Sequence, residues 1–105
     1  MKKPDRVNIL GKPYTITYVD NPADVDMRRR EALWGQVDHW TRTIRVYDHD
    51  RTAEDVWETI LHEVLHGIAS ELDIEALKGD DCEHIIGLVA LALADVFVRN
   101  GWIAE

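Results

Sequence analysis

The sequence predicts an α+β fold in which a small, mostly antiparallel sheet packs on two helices. Two stretches in the first half of the chain alternate apolar and polar residues on both sides of turn residues, which is typical of β-hairpins. After Asp50, apolar residues recur at about every fourth position, which is typical of amphipathic helices. The chain has 105 residues, enough for one modest core, so we expect a single domain over residues 1–105.

Composition and charge exclude several classes of protein. Hydrophobic residues make up 46% of the chain and charged residues 30%, which is typical of a soluble globular domain and too apolar for a disordered one. The formal net charge of -8 argues against a nucleic-acid partner, since binding to phosphates requires a basic face. We expect the basic run from Arg28 to Arg30 to be a solvated patch.

We expect no membrane partner and a cytoplasmic location. The longest apolar run, Ile85 to Val98, contains Asp95 and is shorter than the roughly 20 residues that cross a membrane, so it predicts a buried core helix. The N-terminal residues lack the apolar segment of a signal peptide. The lone cysteine, Cys82, cannot form an internal disulfide and is expected to be a plain thiol at the start of a helix.

The first half of the chain predicts two hairpins. In the first, a turn at 11–13 separates the alternating apolar residues Val7, Ile9, Tyr14, Ile16 and Tyr18. Asn21 and Pro22 then break the strand, and a loop or short helical turn follows. In the second hairpin, two alternating segments flank the polar stretch 38–43, and the hairpin closes near Asp48.

The second half predicts two helices. The first extends from about Thr52, the expected N-cap, to about Leu72, with an apolar stripe at Val56, Ile60, Val64 and Ile68. Gly79 breaks this pattern. The second helix is expected to begin near Asp81 and to end at residues 100–101, which are Asn and Gly.

The first predicted helix contains two histidines in a metal-binding arrangement. His62 and His66 lie four residues apart, so both imidazoles face the same side of the helix and can bind one metal ion. Glu63 borders that side and can accept a proton from a water molecule that the metal activates. Two neutral imidazoles and a water are typical of Zn²⁺, so we expect a zinc site with Glu63 as general base. The alternative is a pair of core histidines beside a surface glutamate.

A hydrolytic zinc site needs a third protein ligand, for which the sequence offers the candidates Glu71, Asp73, Glu75, Glu83 and His84. Glu71 lies off the histidine face, and Asp73 lies almost two helical turns beyond His66. Glu83 is better placed, because the second helix begins there and an antiparallel return can bring its first turn beside His66. His84 can substitute as the ligand. Otherwise, we expect His84 to donate a hydrogen bond to the oxyanion that forms during hydrolysis.

The motif from His62 to His66, preceded by a hairpin and followed by a glutamate on the next helix, resembles that of the gluzincin-type zincin metallopeptidases. Over about Trp34 to Trp102 the chain is similar to the small members found in phages, prophages and mobile elements, the minigluzincins and ImmA/IrrE-like peptidases. The resemblance implies a zincin-like fold, zinc held by both histidines and Glu83, Glu63 as base, and a substrate extended along the edge strand of the sheet. The chain departs from the larger gluzincins at Gly87, where they carry a polar residue close to the metal ligands.

The leading functional hypothesis is a small zinc peptidase that acts on a peptide or protein substrate. Two alternatives remain: a metal-binding regulatory or interaction module that cleaves nothing, and a hydrolase of a non-peptide amide, since zinc chemistry serves any amide.

Other conspicuous side chains receive structural interpretations. We expect the four tryptophans to anchor the core and its rim; they are Trp34, Trp40, Trp57 and Trp102. His39 is expected to be a solvated turn residue and Tyr47 a half-buried strand residue, although both lie where they can reach a substrate carbonyl group. We assign no role to His49.

Overall fold

The chain forms a four-stranded sheet and two long helices in a computed structural model that describes residues 3–27, 33–77, 79 and 81–103. The strands are β1 (Arg6–Ile9), β2 (Lys12–Val19), β3 (Gly35–Asp38) and β4 (Thr43–Tyr47), and the helices are α1 (Ala53–Glu71) and α2 (Asp81–Arg99). Short 3₁₀ turns span Pro22–Asp24 and Glu75–Leu77. The predicted α+β architecture is confirmed. The basic run from Arg28 to Arg30 lies outside the described residues.

Both predicted hairpins form, and a parallel pairing joins them into one mixed sheet. The strand order is β1-β2-β4-β3, in which β1 pairs antiparallel with β2 and β3 pairs antiparallel with β4. Between the hairpins, β2 and β4 run parallel, from Thr15 opposite Thr43 to Val19 opposite Tyr47. The sheet is therefore mixed, with β3 at one edge.

The first hairpin turns slightly earlier than the sequence predicted. Leu10 and Gly11 have φ angles of 53° and 81°, so they are the two central residues of the turn, and β2 already begins at Lys12. Two successive positive φ angles are typical of the tight turns whose twist matches that of the flanking strands. Pro13 lies within β2, opposite Asn8.

The core lies between the sheet and α1. Alternate residues of the two central strands point toward the helix, namely Tyr14 and Ile16 on β2 and Ile44 and Val46 on β4, and all four are buried. Helix α1 supplies Val56 and Ile60 to the same cluster. Burial of these side chains fixes the position of α1 across the sheet, because a helix with one apolar stripe has one face to bury.

Helix α1 begins and ends within one residue of the predicted positions. Thr52 is its N-cap, and the Thr52 hydroxyl accepts a hydrogen bond of 3.1 Å from the backbone N–H of Asp55. The cap satisfies one of the donors left free in the first helical turn. Leu72 is the C-cap.

Helix α2 packs against α1 and forms the outer layer of the molecule. Every fourth residue of α2 is buried, at Cys82, Ile86, Ala90 and Ala94. The apolar run was expected to form a buried helix, but α2 is buried on one face only. Five further apolar residues are 41% to 55% exposed; they are Ile85, Leu88, Val89, Leu91 and Val96. Among the described helices, none combines the length and the apolar character that crossing a membrane requires.

Candidate metal centre

Two imidazoles and one carboxylate converge where α1 meets the first turn of α2. Nε2 of His62 lies 2.5 Å from Oε1 of Glu83, and Nε2 of His66 lies 2.8 Å from Oε2 of the same carboxylate. The two Nε2 atoms are 3.2 Å apart. Both histidines and Glu83, all named as candidates from the sequence, are therefore brought to one point.

Helix geometry explains this convergence. His62 and His66 are one turn apart on α1, so their rings project from one face. Helix α2 runs back along α1, since its first turn carries Glu83 beside both histidines and its second turn places Gly87 against the His62 ring. The loop after Leu72 is thus long enough for the antiparallel return that the sequence predicted.

The donor set fits a divalent transition metal such as Zn²⁺. The ligand atoms of these three side chains all lie within 4.8 Å of one another, close enough to hold one ion. In the described part of the chain, no other group of three or more His, Cys, Asp or Glu residues meets this condition. Imidazole nitrogen and carboxylate oxygen are common zinc ligands, and three protein ligands leave a position for water or substrate. The side chains of His62 and His66 are 22% and 23% exposed, so this side of the cluster is open to solvent.

Burial favours the metal-binding form of His66. It lowers the pKa of the imidazole, and nearby His62 and His39 lower it further, while the negative charge of Glu83 opposes them. The neutral ring is the form that binds a metal.

Glu71, one of the candidate third ligands, binds residues of the sheet and of the turn between β3 and β4 and does not approach the two histidines. One Glu71 carboxylate oxygen accepts hydrogen bonds from the Tyr14 hydroxyl, at 2.7 Å, and from Nε of Arg42, at 3.3 Å. The Lys12 ammonium lies 2.9 Å from the other oxygen. Glu71 therefore faces the sheet and is not a member of the metal-binding group.

Glu63 lies beside the cluster but is not part of it. The residue is 7% exposed, and its carboxylate accepts a hydrogen bond from the backbone N–H of Val37 on β3. Burial raises the pKa of Glu63 to about 8, with a further contribution from the negative charge of Glu83 and an opposing one from the Val37 N–H. A cation bound at the cluster would favour the ionised carboxylate, because opposite charges at close range stabilise each other.

The edge strand β3 passes directly over this part of α1 because of a glycine. A Cβ atom at Gly35 would lie 2.6 Å from Cγ2 of Thr59 and 3.2 Å from Cγ of Glu63, so a larger residue would push the strand away. The Trp34 carbonyl accepts a hydrogen bond from the Tyr47 N–H on β4. Because hydrogen bonding alternates along an antiparallel strand, the backbone groups of Gly35 and Val37 face the open edge of the sheet.

The cluster separates two clefts. The larger, of about 590 Å³, contains His62, Glu63 and Glu83 and is bordered by Trp34 and Gly35; we call it the large cleft. The smaller, of about 330 Å³, contains His66 and is bordered by His39, Ala69, Ser70, Leu77 and Gly79; we call it the small cleft.

Two residues that the sequence analysis interpreted as structural or solvated, Trp34 and His39, border these clefts. Trp34 is 62% exposed in the large cleft, where the Arg51 guanidinium lies 4.4 Å from the centre of its ring. His39 is exposed in the small cleft. The signal for this site in the sequence was Gly35, because a glycine inside a strand often marks a place where another part of the chain comes close to the strand backbone.

The remaining predicted residues lie around the site. His84 is exposed on α2 and borders neither cleft, so its role as an oxyanion donor stays a prediction. Three of the tryptophans are more than 60% exposed, and Trp57 packs against the core cluster. A Cβ atom at Gly87 would lie 3.8 Å from Cε1 and 4.0 Å from Nδ1 of His62. The His62 ring thus lies against a residue without a side chain.

Comparison with protein-family models, with curated proteins and with solved structures found no match.

Proposed function

We propose that this protein is a zinc-dependent hydrolase that cleaves peptide bonds, with His62, His66 and Glu83 as metal ligands and Glu63 as general base. One observation carries the proposal: two imidazoles and a carboxylate converge on one point, with ligand atoms within 4.8 Å of one another, and a separate, buried carboxylate, Glu63, lies in the same cleft as His62 and Glu83. This division between metal ligands and a base is what zinc-assisted hydrolysis requires.

Zinc, when bound, would supply activation of water and polarisation of the substrate carbonyl group. Glu63 would take the proton of the attacking water and pass it to the leaving amine. The hydrogen bond from Val37 holds the Glu63 carboxylate in one orientation, and a cation at the cluster would keep the carboxylate ionised, the form that accepts a proton. Both effects suit a group that must accept a proton near neutral pH.

The open edge of β3 favours a peptide as the substrate. Gly35 borders the cleft that contains Glu63, and its backbone N–H and carbonyl face away from β4, whereas the Val37 N–H is already bound to the Glu63 carboxylate. An extended peptide can add to such an edge as a further strand, which would carry its backbone past the metal ligands. In this respect the proposal agrees with the substrate position that the gluzincin resemblance implies.

A metal-dependent binding module is the second candidate function, and Gly87 favours it. Residues that orient a metal-bound histidine usually matter nearly as much as the ligands themselves. The chain has no side chain at Gly87, which lies against the His62 ring.

Under either function we propose membership of the small gluzincin-type zincins found in phages and mobile elements, and a cytoplasmic location, which suits a chain with a lone cysteine.

Replacement of the base tests the proposed function. Zinc-loaded protein should cleave unfolded protein or peptide substrates, and Glu63→Gln should keep the zinc and lose at least 99% of the cleavage rate, roughly the contribution of a general base. Glu54→Gln, exposed on the same helix and outside both clefts, is the matched control and should retain activity. Zinc loss in Glu63→Gln with an intact fold would show that Glu63 is a ligand. Absence of cleavage by the wild type, with zinc bound, would favour the binding module.

A further inference from the structure

His39 follows the edge strand β3 and lies beside the metal-binding group. It borders the small cleft together with His66 and is exposed there. The ligand group of two histidines and Glu83 does not include it.

The direction of the strand explains this position. Positions 35 and 37 of β3 face α1, and His39 is the first residue after the strand, in the turn that leads to β4. Gly35 lies against Glu63, and Val37 packs against the core and holds the Glu63 carboxylate through its N–H. Two residues further on, His39 borders the small cleft together with His66, which lies one turn after His62 on α1.

Glu63 and His39 thus lie in different clefts on either side of the metal ligands. Glu63 is in the large cleft and His39 in the small one. Hydrolysis of an amide needs a base for the water and, on another side of the carbonyl carbon, a donor for the oxygen that gains negative charge. Two imidazoles are among the described residues that border the small cleft: the proposed ligand His66, which is partly buried, and His39, which is exposed.

We propose that His39 donates a hydrogen bond to the carbonyl oxygen of the bond being cleaved. The proposal rests on the proposed function and assigns to His39 the role that the sequence suggested for His84. A substrate strand along β3 would run past Glu63 and then past His39, so that both side chains act on one scissile bond. His39 would contribute little to metal affinity, because it lies outside the ligand group.

Inhibitor binding tests this role without requiring turnover. A peptide phosphonamidate mimics the tetrahedral transition state and carries an oxygen where the carbonyl oxygen would be, whereas a peptide thiol binds zinc without such an oxygen. For the zinc-loaded protein, His39→Phe should weaken phosphonamidate binding about 10- to 100-fold, as loss of a hydrogen bond to a charged oxygen does, and should leave thiol binding within about twofold. The zinc content should not change. His49→Phe, in an exposed turn, is the matched control and should bind both inhibitors as the wild type does.

Kinetics provide the second readout. With a peptide substrate, His39→Phe should lower kcat about 100- to 1000-fold and change KM little, the usual result of removing one oxyanion donor. His39→Tyr should restore part of the loss, because its hydroxyl can donate. Ser70→Ala and His84→Phe test the two alternative donors. The Ser70 hydroxyl borders the same cleft, and His84 is the donor expected from the sequence.

Three results would overturn the proposal for His39. The first is unchanged phosphonamidate affinity in His39→Phe, and the second is a loss confined to Ser70→Ala or His84→Phe. The third is loss of zinc from His39→Phe, which would make His39 a ligand or a support for the ligands. Selective loss of phosphonamidate affinity in His39→Phe, together with a wild type that cleaves no peptide, would support the inference about His39 while contradicting the proposed peptidase activity.

Discussion

At the scale of single residues, Glu83 supplies the third possible ligand of the cluster. The two histidines provide only two ligands, and the Glu83 carboxylate reaches both rings, at 2.5 and 2.8 Å. Its negative charge would offset part of the charge of a divalent cation. His84, the next residue, is exposed and borders neither cleft, because successive residues on a helix point about 100° apart.

Separate replacement of these two neighbours tests the third ligand. We expect Glu83→Ala to weaken zinc affinity at least tenfold, since loss of a ligand costs no less than the 10- to 100-fold typical of groups that merely orient ligands. His84→Ala should change zinc affinity less than twofold. Competition with a chromophoric zinc chelator measures both affinities. Zinc lost from His84→Ala and retained by Glu83→Ala would instead indicate a site of three histidines.

Gly87 offers a prediction about stability. It lies in the interior of α2, and a Cβ atom there would make only ordinary van der Waals contacts, at 3.8 and 4.0 Å from atoms of His62. Gly87→Ala should therefore raise the free energy of unfolding by about 0.5 to 1 kcal/mol, the usual advantage of alanine over glycine in a helix. Urea denaturation at equilibrium measures the change.

Gly67 is the matched control for this substitution. A Cβ atom at Gly67, in the interior of α1, would lie 2.7 Å from Cδ1 of Ile9. Gly67→Ala should raise the free energy of unfolding less than Gly87→Ala does, or should lower it, because the Ile9 side chain must move to make room for the new Cβ atom. Equal stabilisation by the two substitutions would contradict this account of their packing.

At the scale of whole elements, Glu71 connects the end of α1 to both hairpins. It accepts a hydrogen bond from Tyr14 and pairs with Lys12 on β2, and it also binds Arg42 in the turn between β3 and β4. These partners favour the ionised carboxylate. The hydrogen bond from Tyr14, followed by those from Lys12 and Arg42, holds the pKa of Glu71 at about 2.

This low pKa predicts how stability changes in acid. A carboxylate whose pKa falls on folding stabilises the protein above its unfolded value of 4.5, and that contribution is lost as the pH falls toward 2. Glu71→Gln should lower stability at neutral pH and make the loss between about pH 4.5 and pH 2 shallower. Urea denaturation across this range measures the effect, with exposed Asp20→Asn as control. An unchanged pH dependence in Glu71→Gln would show that the contacts of Glu71 do not contribute to acid stability.

At the scale of the whole molecule, the local features of the fold were predictable from the sequence and the long-range ones were not. The bounds of α1 followed from the Thr52 cap and the apolar stripe, and the shared face of His62 and His66 followed from helical spacing. The parallel pairing of β2 with β4 depends on contacts between distant segments, which no local pattern records. For the same reason, the positions of Trp34 and His39 beside the metal-binding group became visible only in the folded chain.

The arrangement of layers also sets the character of the site. Strand β3 lies over one side of α1 and α2 lies against another, so the cluster of His62, His66 and Glu83 and the neighbouring Glu63 lie at the junction of the three elements. Glu63 is buried by this junction, while the ligands remain partly exposed. A single core of modest size thus places a buried carboxylate beside a partly exposed cluster of possible metal ligands.

The central claim is that His62 and His66 hold a metal ion, and zinc stoichiometry tests it most directly. Protein loaded with zinc and then freed of excess metal by gel filtration should contain about one zinc per chain by elemental analysis, because one group of ligands is formed in the described part of the structure. The double variant His62→Ala/His66→Ala should contain almost none, while circular dichroism should show that its helices remain. Stoichiometric zinc in a folded double variant would contradict the account.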